Sequence, residues 1–96
     1  MTIEKSPEML AIARRVVWFA TPEEALEQPA LFLAHVMTYG LVEDVLIVQQ
    51  AVGMDAFRSV LDAPPPGVFD PRSWSYWNLM CDRWPAPPLP ERQFPD

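Results

Sequence analysis

The single histidine and the single cysteine are the first places to look for catalysis, and neither has a helper beside it in the chain. His35 stands in L-F-L-A-H-V-M-T-Y, the most apolar run of the sequence. A lone imidazole there reads as a structural residue with its hydrogen bond satisfied, not as a general base. Cys81 has no adjacent base, and a thiol attacks only as the thiolate, which a base or a positive neighbour must draw out. Glu43 and Asp44 are adjacent carboxylates. General acid–base work needs two such groups aimed at one spot, and neighbours on a helix point in different directions. Their place in a first helical turn, where the dipole favours negative charge, accounts for them better. With only three glycines there is no phosphate-cradling loop, and no Asp-x-Asp pair or Cys/His cluster offers a metal site. The expectation is a non-enzyme without a cofactor.

The chemistry that remains is recognition, and it centres on residues 63–84, A-P-P-P-G-V-F-D-P-R-S-W-S-Y-W-N-L-M-C-D-R-W. Pro64, Pro65 and Pro66 remove backbone donors and stop any helix. Asp70-Pro71 then reads as an N-cap and first helical residue. A helix from Pro71 to about Cys81 carries two stripes: Trp74, Trp77 and Cys81 on one face, Tyr76, Met80 and Trp84 on another. One small core cannot take both. Trp, Tyr and Arg are frequent anchors of protein interfaces. Arg72 lies in the first turn, where the dipole disfavours a cation, so it reads as a contact residue or as a partner for nearby Asp70. Phe69, Arg72, Trp74 and Trp77 are therefore expected to form part of a surface that holds a protein partner. The competing reading places Trp74 and Trp77 in the core.

The elements that must position this stretch are helical throughout. Ser6-Pro7-Glu8 and Thr21-Pro22-Glu23-Glu24 are helix starts. Met9, Ile12, Ala13, Val16 and Val17 repeat at helical spacing, though Val16-Val17-Trp18-Phe19 also fits an extended segment, so residues 1–20 are a helix or an arm. Arg14 and Arg15 read as a solvated pair. The helix through Leu31, Phe32, Leu33, Val36, Met37 and Tyr39 is apolar nearly all round and is expected to be central, ending at Gly40. Val42, Val45, Leu46 and Gln49 mark the next helix, ending near Gly53. Met54 to Asp62 is a shorter one, with Phe57, Val60 and Leu61 inward and an Arg58–Asp62 pair outside. The fold expected is an all-α single domain of four to five short helices over residues 1–84. Phe32, Val36, Val45, Leu46, Phe57 and Leu61 should be core, and 63–70 should be a proline-rich loop. Residues 85–96 have polyproline composition and should be an extended tail that wraps the domain or offers its P-x-x-P spacings to a partner.

A resemblance enters on three runs: H-V-M-T-Y-G-L-V-E-D-V, A-V-G-M-D-A-F-R-S-V-L, and A-P-P-P-G-V-F-D-P-R-S-W-S-Y-W-N-L. Together they resemble short bacterial proteins encoded beside nucleotidyltransferase toxins of the abortive-infection Eii type. The likeness covers roughly residues 30–84, and P-R-S-W-x-Y-W is its most specific part. This chain departs from the pattern by a third proline before Gly67 and by its extension before Thr21. The resemblance implies a protein partner, a nucleotidyltransferase-type toxin, and the role of an antitoxin. It transfers no catalytic residue.

Composition bounds these readings. Half of the 96 residues are apolar, too many for a disordered chain, and one domain is the most that length supports. A formal charge of −6 argues against a nucleic-acid surface, which needs clustered Lys and Arg. The helices flanking Gly53 imitate a helix-turn-helix, so a small DNA-binding regulator is the alternative, but the second of them carries only Arg58 as a cation. One cysteine excludes an internal disulfide. M-T-I-E-K-S-P-E has no apolar signal core, and no run reaches membrane-spanning length. The expectation is a cytoplasmic protein with no membrane association.

Overall fold

Three helices begin with the same local device. The Ser6 and Thr21 hydroxyls accept from the Met9 and Glu24 backbone N–H groups, each at 3.2 Å. The Asp70 carboxylate accepts from the Ser73 N–H at 2.7 Å. In each case proline follows the cap, where its missing donor costs nothing. The computed structural model describes residues 2–89, and these contain six helices and no strand: α1 Pro7–Val16, α2 Pro22–Leu26, α3 Pro29–Tyr39, α4 Val42–Val52, α5 Met54–Asp62 and α6 Pro71–Met80. The all-α expectation holds. The count exceeds the expected four to five, because every start signal in the sequence, including the one that opens the five-residue α2, makes its own helix. Residues 18–20 form a turn after α1, so the extended alternative there is not taken.

α3 is central, as its composition predicts. It packs against α1, α2, α4, α5 and α6, and six consecutive residues from Phe32 to Met37 are buried. Gly40 ends it with φ of −71°, so a left-handed cap is not what requires glycine here. A Cβ at this position would lie 2.6 Å from the Val36 carbonyl oxygen. Gly53, between α4 and α5, does need glycine's freedom, with φ of 85°. From α5, Phe57 and Leu61 close on α3, and Phe57 meets the edge of Trp77 with ring centroids 5.2 Å apart.

Leu46 corrects the expected core. Phe32, Val36, Phe57 and Leu61 are buried and Val45 is half-buried, but Leu46 is 54% exposed. α4 is apolar on more than one face, and an ion pair fastens the face that turns inward. Arg15 on α1 holds Asp44 with both guanidinium nitrogens, one of them at 2.8 Å. The same carboxylate accepts from the Leu41 N–H at 3.0 Å. That rotation buries Asp44 and Val48 and leaves Val42 and Leu46 outside. Arg15 is thus a tether between helices, while Arg14 is exposed as expected. The expected Arg58–Asp62 pair is also replaced. Arg58 reaches Asp55 at 2.9 Å, and Asp62 holds Arg83, from the segment after α6, at 2.6 Å.

Of the expected tail, residues 85–89 carry no regular secondary structure. They cross α6, where the Trp74 indole donates to the Pro87 carbonyl at 2.8 Å and Leu89 packs on the core. Residues 90–96 lie outside the described residues. None of the described helices is long and apolar enough to cross a membrane.

Candidate partner-binding groove

The two stripes of α6 separate as their spacing requires. Trp74, Trp77 and Cys81 face inward, and Tyr76, Met80 and Trp84 are exposed. This corrects the expected partner surface. Phe69, Trp74 and Trp77 are only 7%, 4% and 5% exposed in the free domain. Their indole donors are satisfied internally: Trp74 by Pro87, Trp77 by the Met37 carbonyl at 2.7 Å. Phe69 stacks edge-on against Trp74. These rings are the core reading, and the sequence could not choose between the stripes because both carry aromatics. Arg72 is exposed as expected, but Asp70 is not its partner, since that carboxylate caps the helix.

What the outer stripe borders is an open groove. α4 and α6 both rest on α3 and make little contact with each other. Between them lies a cavity of about 420 Å³. Met37, Gly40 and Trp77 contribute to its lining from the α3 side and from α6's inner edge, and Val42, Val45 and Leu46 form the α4 wall. Tyr76 and Met80 form the opposite wall. Val42, Leu46, Tyr76 and Met80 are all about half exposed or more. Among the described residues Arg72 is the one charged side chain in the lining and makes no ion pair. Two of the four expected residues, Arg72 and Trp77, therefore reach the groove. Phe69 and Trp74 lie round the helix beneath the tail. The Val42–Val45–Leu46–Gln49 stripe was visible in the sequence, but as a core face. Its role as a wall depends on the Arg15–Asp44 tether, which joins residues 29 positions apart.

The groups with catalytic potential stay apart. His35 is buried, with Nδ1 2.9 Å from the Leu31 carbonyl, so a proton on that nitrogen is donated within its own helix. The rings of Trp18, Phe19 and Tyr39 pack around it. Their closest centroid approaches, 5.4 Å for Phe19–His35 and 5.5 Å for Trp18–Tyr39, are direct ring contacts. This exposed aromatic cluster was not anticipated. Its sequence signals are W-F two and three residues after α1 ends and His35 and Tyr39 four residues apart on α3. Burial pushes the Cys81 thiol above its ordinary value, with Arg58 and Arg83 pulling partly back, so the thiolate is disfavoured. Among the described residues no three His, Cys, Asp or Glu side chains could together hold a metal ion. Compared with protein-family models, curated proteins and solved structures, the chain matches none.

Proposed function

We propose that this chain is a non-enzymatic binding partner of another protein, acting as an antitoxin that neutralises a neighbouring nucleotidyltransferase-type toxin by direct binding in the bacterial cytoplasm. The observation that carries the binding role is the α4–α6 groove, whose two facing apolar walls stay open around a concave space. The toxin class comes from the sequence resemblance alone. Arg72, Val42, Leu46, Tyr76 and Met80 are the contact residues in this reading, with Trp77 at the edge of the floor. Phe69 and Trp74 hold α6 in place. The acidic balance supports a protein partner over DNA, as does α5, whose single cation is engaged by Asp55.

Co-expression with the adjacent toxin gene tests this. The two proteins should copurify and growth should be rescued, and Leu46→Asp should abolish both effects while the chain stays folded. Rescue without copurification would replace direct binding by an opposing activity. A mobility shift of the chain's own promoter at low salt, without copurification, would favour the regulator.

A further inference from the structure

We infer that the occupant of the α4–α6 groove is an amphipathic α-helix of the partner, laid between the two walls with a carboxylate side chain against Arg72. The inference rests on the protein-partner reading and specifies what that partner presents.

The walls decide the backbone. Both are sides of helices, whose N–H and C=O groups are already paired along the helix. An extended segment entering the groove would gain no backbone hydrogen bonds from these walls and would keep only those to water along the open side. A helix carries its own hydrogen bonds and needs only apolar side chains to fill the space. The spacing agrees. Val42 and Leu46 on one wall, and Tyr76 and Met80 on the other, stand four residues apart and present one ridge per turn. α4 has eleven residues and α6 ten, so each wall is about 15 Å long, enough for roughly three turns of a partner helix with anchors at i, i+3 or i+4, and i+7. Met37, Met54 and Met80 also line the groove, and their unbranched side chains adjust to whichever anchors arrive.

The charge decides the polar contact. In a chain of net charge −6, the one charged residue that lines the groove among the described residues is a cation. Arg72 sits in the first turn of α6, where the dipole adds positive potential to the guanidinium. Asp70 is committed to the cap. A carboxylate from the incoming helix would meet there a bidentate donor that has no ion-pair partner among the described residues, and a lysine would be repelled.

The test is a selection of displayed peptides against the full chain, from a library mixing helical scaffolds with extended and proline-rich ones. Recovered binders should be helical, with apolar residues at i, i+3 or i+4, and i+7 and an Asp or Glu beside that face. Leu46→Asp should weaken them at least tenfold. Arg72→Glu should do the same, and Lys in place of the peptide's acid should restore binding to that variant. Glutamate in the first turn of α6 suits the helix dipole, so a loss here is not unfolding. Binders that are extended, ignore charge at position 72 or persist on Leu46→Asp would overturn the inference. So would a dimer in sedimentation that Leu46→Asp makes monomeric, because the occupant would then be a second copy. Binding that requires removal of residues 90–96 would make it the chain's own C-terminus. Toxin copurification with no helical binder leaves the function standing and removes this inference. Helical binders with no toxin copurification do the reverse.

Discussion

On one side of α6, Trp74, Trp77 and Asn78 are sealed by α3, by Phe57 of α5 and by the segment at Pro87. On the other, Tyr76 and Met80 look across an open groove at Val42 and Leu46. Aromatic content does not distinguish the two sides, and neither does helical spacing. What differs is the satisfaction of the ring donors; the exception on the sealed side is an acceptor, Asn78 Oδ1, which is buried without a hydrogen-bond partner among the described residues. Each inward indole has a carbonyl waiting for it, Met37 for Trp77 and Pro87 for Trp74, and a buried donor without such a partner would cost free energy. The outer side offers no seal, and its one charged group, Arg72, has no partner among the described residues. A closed face of this kind holds the domain together. An open one is available for binding.

The comparison breaks most directly at the sealed side. Phe57→Ala and Trp77→Ala remove fully or almost fully buried rings that touch each other, and each should cost about 3–5 kcal/mol in denaturant unfolding. A loss below about 0.5 kcal/mol would place these rings at a surface after all.

Next in size is the tether that turns α4. Asp44→Ala removes a paired carboxylate and the acceptor for the Leu41 N–H, and should cost about 1–2 kcal/mol, the half-exposed Arg15 limiting the loss. The effect depends on pH. The hydrogen bonds from Arg15 hold the Asp44 carboxyl below its ordinary 3.8, outweighing desolvation. A carboxylate with a lowered folded-state pKa stabilises fully above its unfolded value, and that contribution is lost as pH falls through the folded one. Asp62, lowered chiefly by its hydrogen bond from Arg83, acts in the same sense. Stability should therefore hold above about pH 5 and decline below pH 4, less steeply in Asp44→Ala. An equal acid decline in that variant would remove Asp44 from the account.

The tether also marks where reading the sequence stopped. The helix starts were legible because a cap and a proline are local signals, and α3 was legible because a helix apolar on all sides has only one place to go. α4 was not. Val42, Val45 and Leu46 make a stripe that suits a core, and the pairing of Asp44 with Arg15, distant in sequence, together with the burial of Val48, turns that stripe toward the groove. The same holds for α6, where two plausible stripes competed and the deciding carbonyls of Met37 and Pro87 lie 40 and 13 residues away. Arg72 was recognised as odd for a first turn, but the groove beside it needed α4 in place.

Truncation after Trp84 probes the edge of the sealed side. It removes the Pro87 carbonyl and Leu89 but leaves all six helices intact. Water can take over the Trp74 donor once it is uncovered, so the loss should be about 1 kcal/mol with the helical circular dichroism signal kept. Complete unfolding would make residues 85–89 an indispensable part of the core.

The smallest change in stability should come from the open side, and it sharpens the comparison most. Leu46 is about half exposed on a wall that closes against nothing, so Leu46→Asp exchanges one solvated side chain for another. Aspartate is a somewhat poorer helix former than leucine, by a few tenths of a kcal/mol. The melting temperature should therefore move little, with a stability change within about 0.5 kcal/mol. Tyr76→Ala, on the facing wall, should behave the same way, apart from the edge contact of its ring with Trp77. For partner binding the order reverses. A ring or leucine at the centre of an interface is commonly worth about 2 kcal/mol or more, so both variants should lose the partner while remaining folded. The sealed-side variants lose both properties together. If Leu46→Asp instead lowered the melting temperature as much as Phe57→Ala does, α4 would turn this face inward in solution and no groove would exist there. If it left both stability and partner binding unchanged, the open face would have to be sought elsewhere, with the exposed Trp18, Phe19 and Tyr39 cluster beside His35 the next place to mutate.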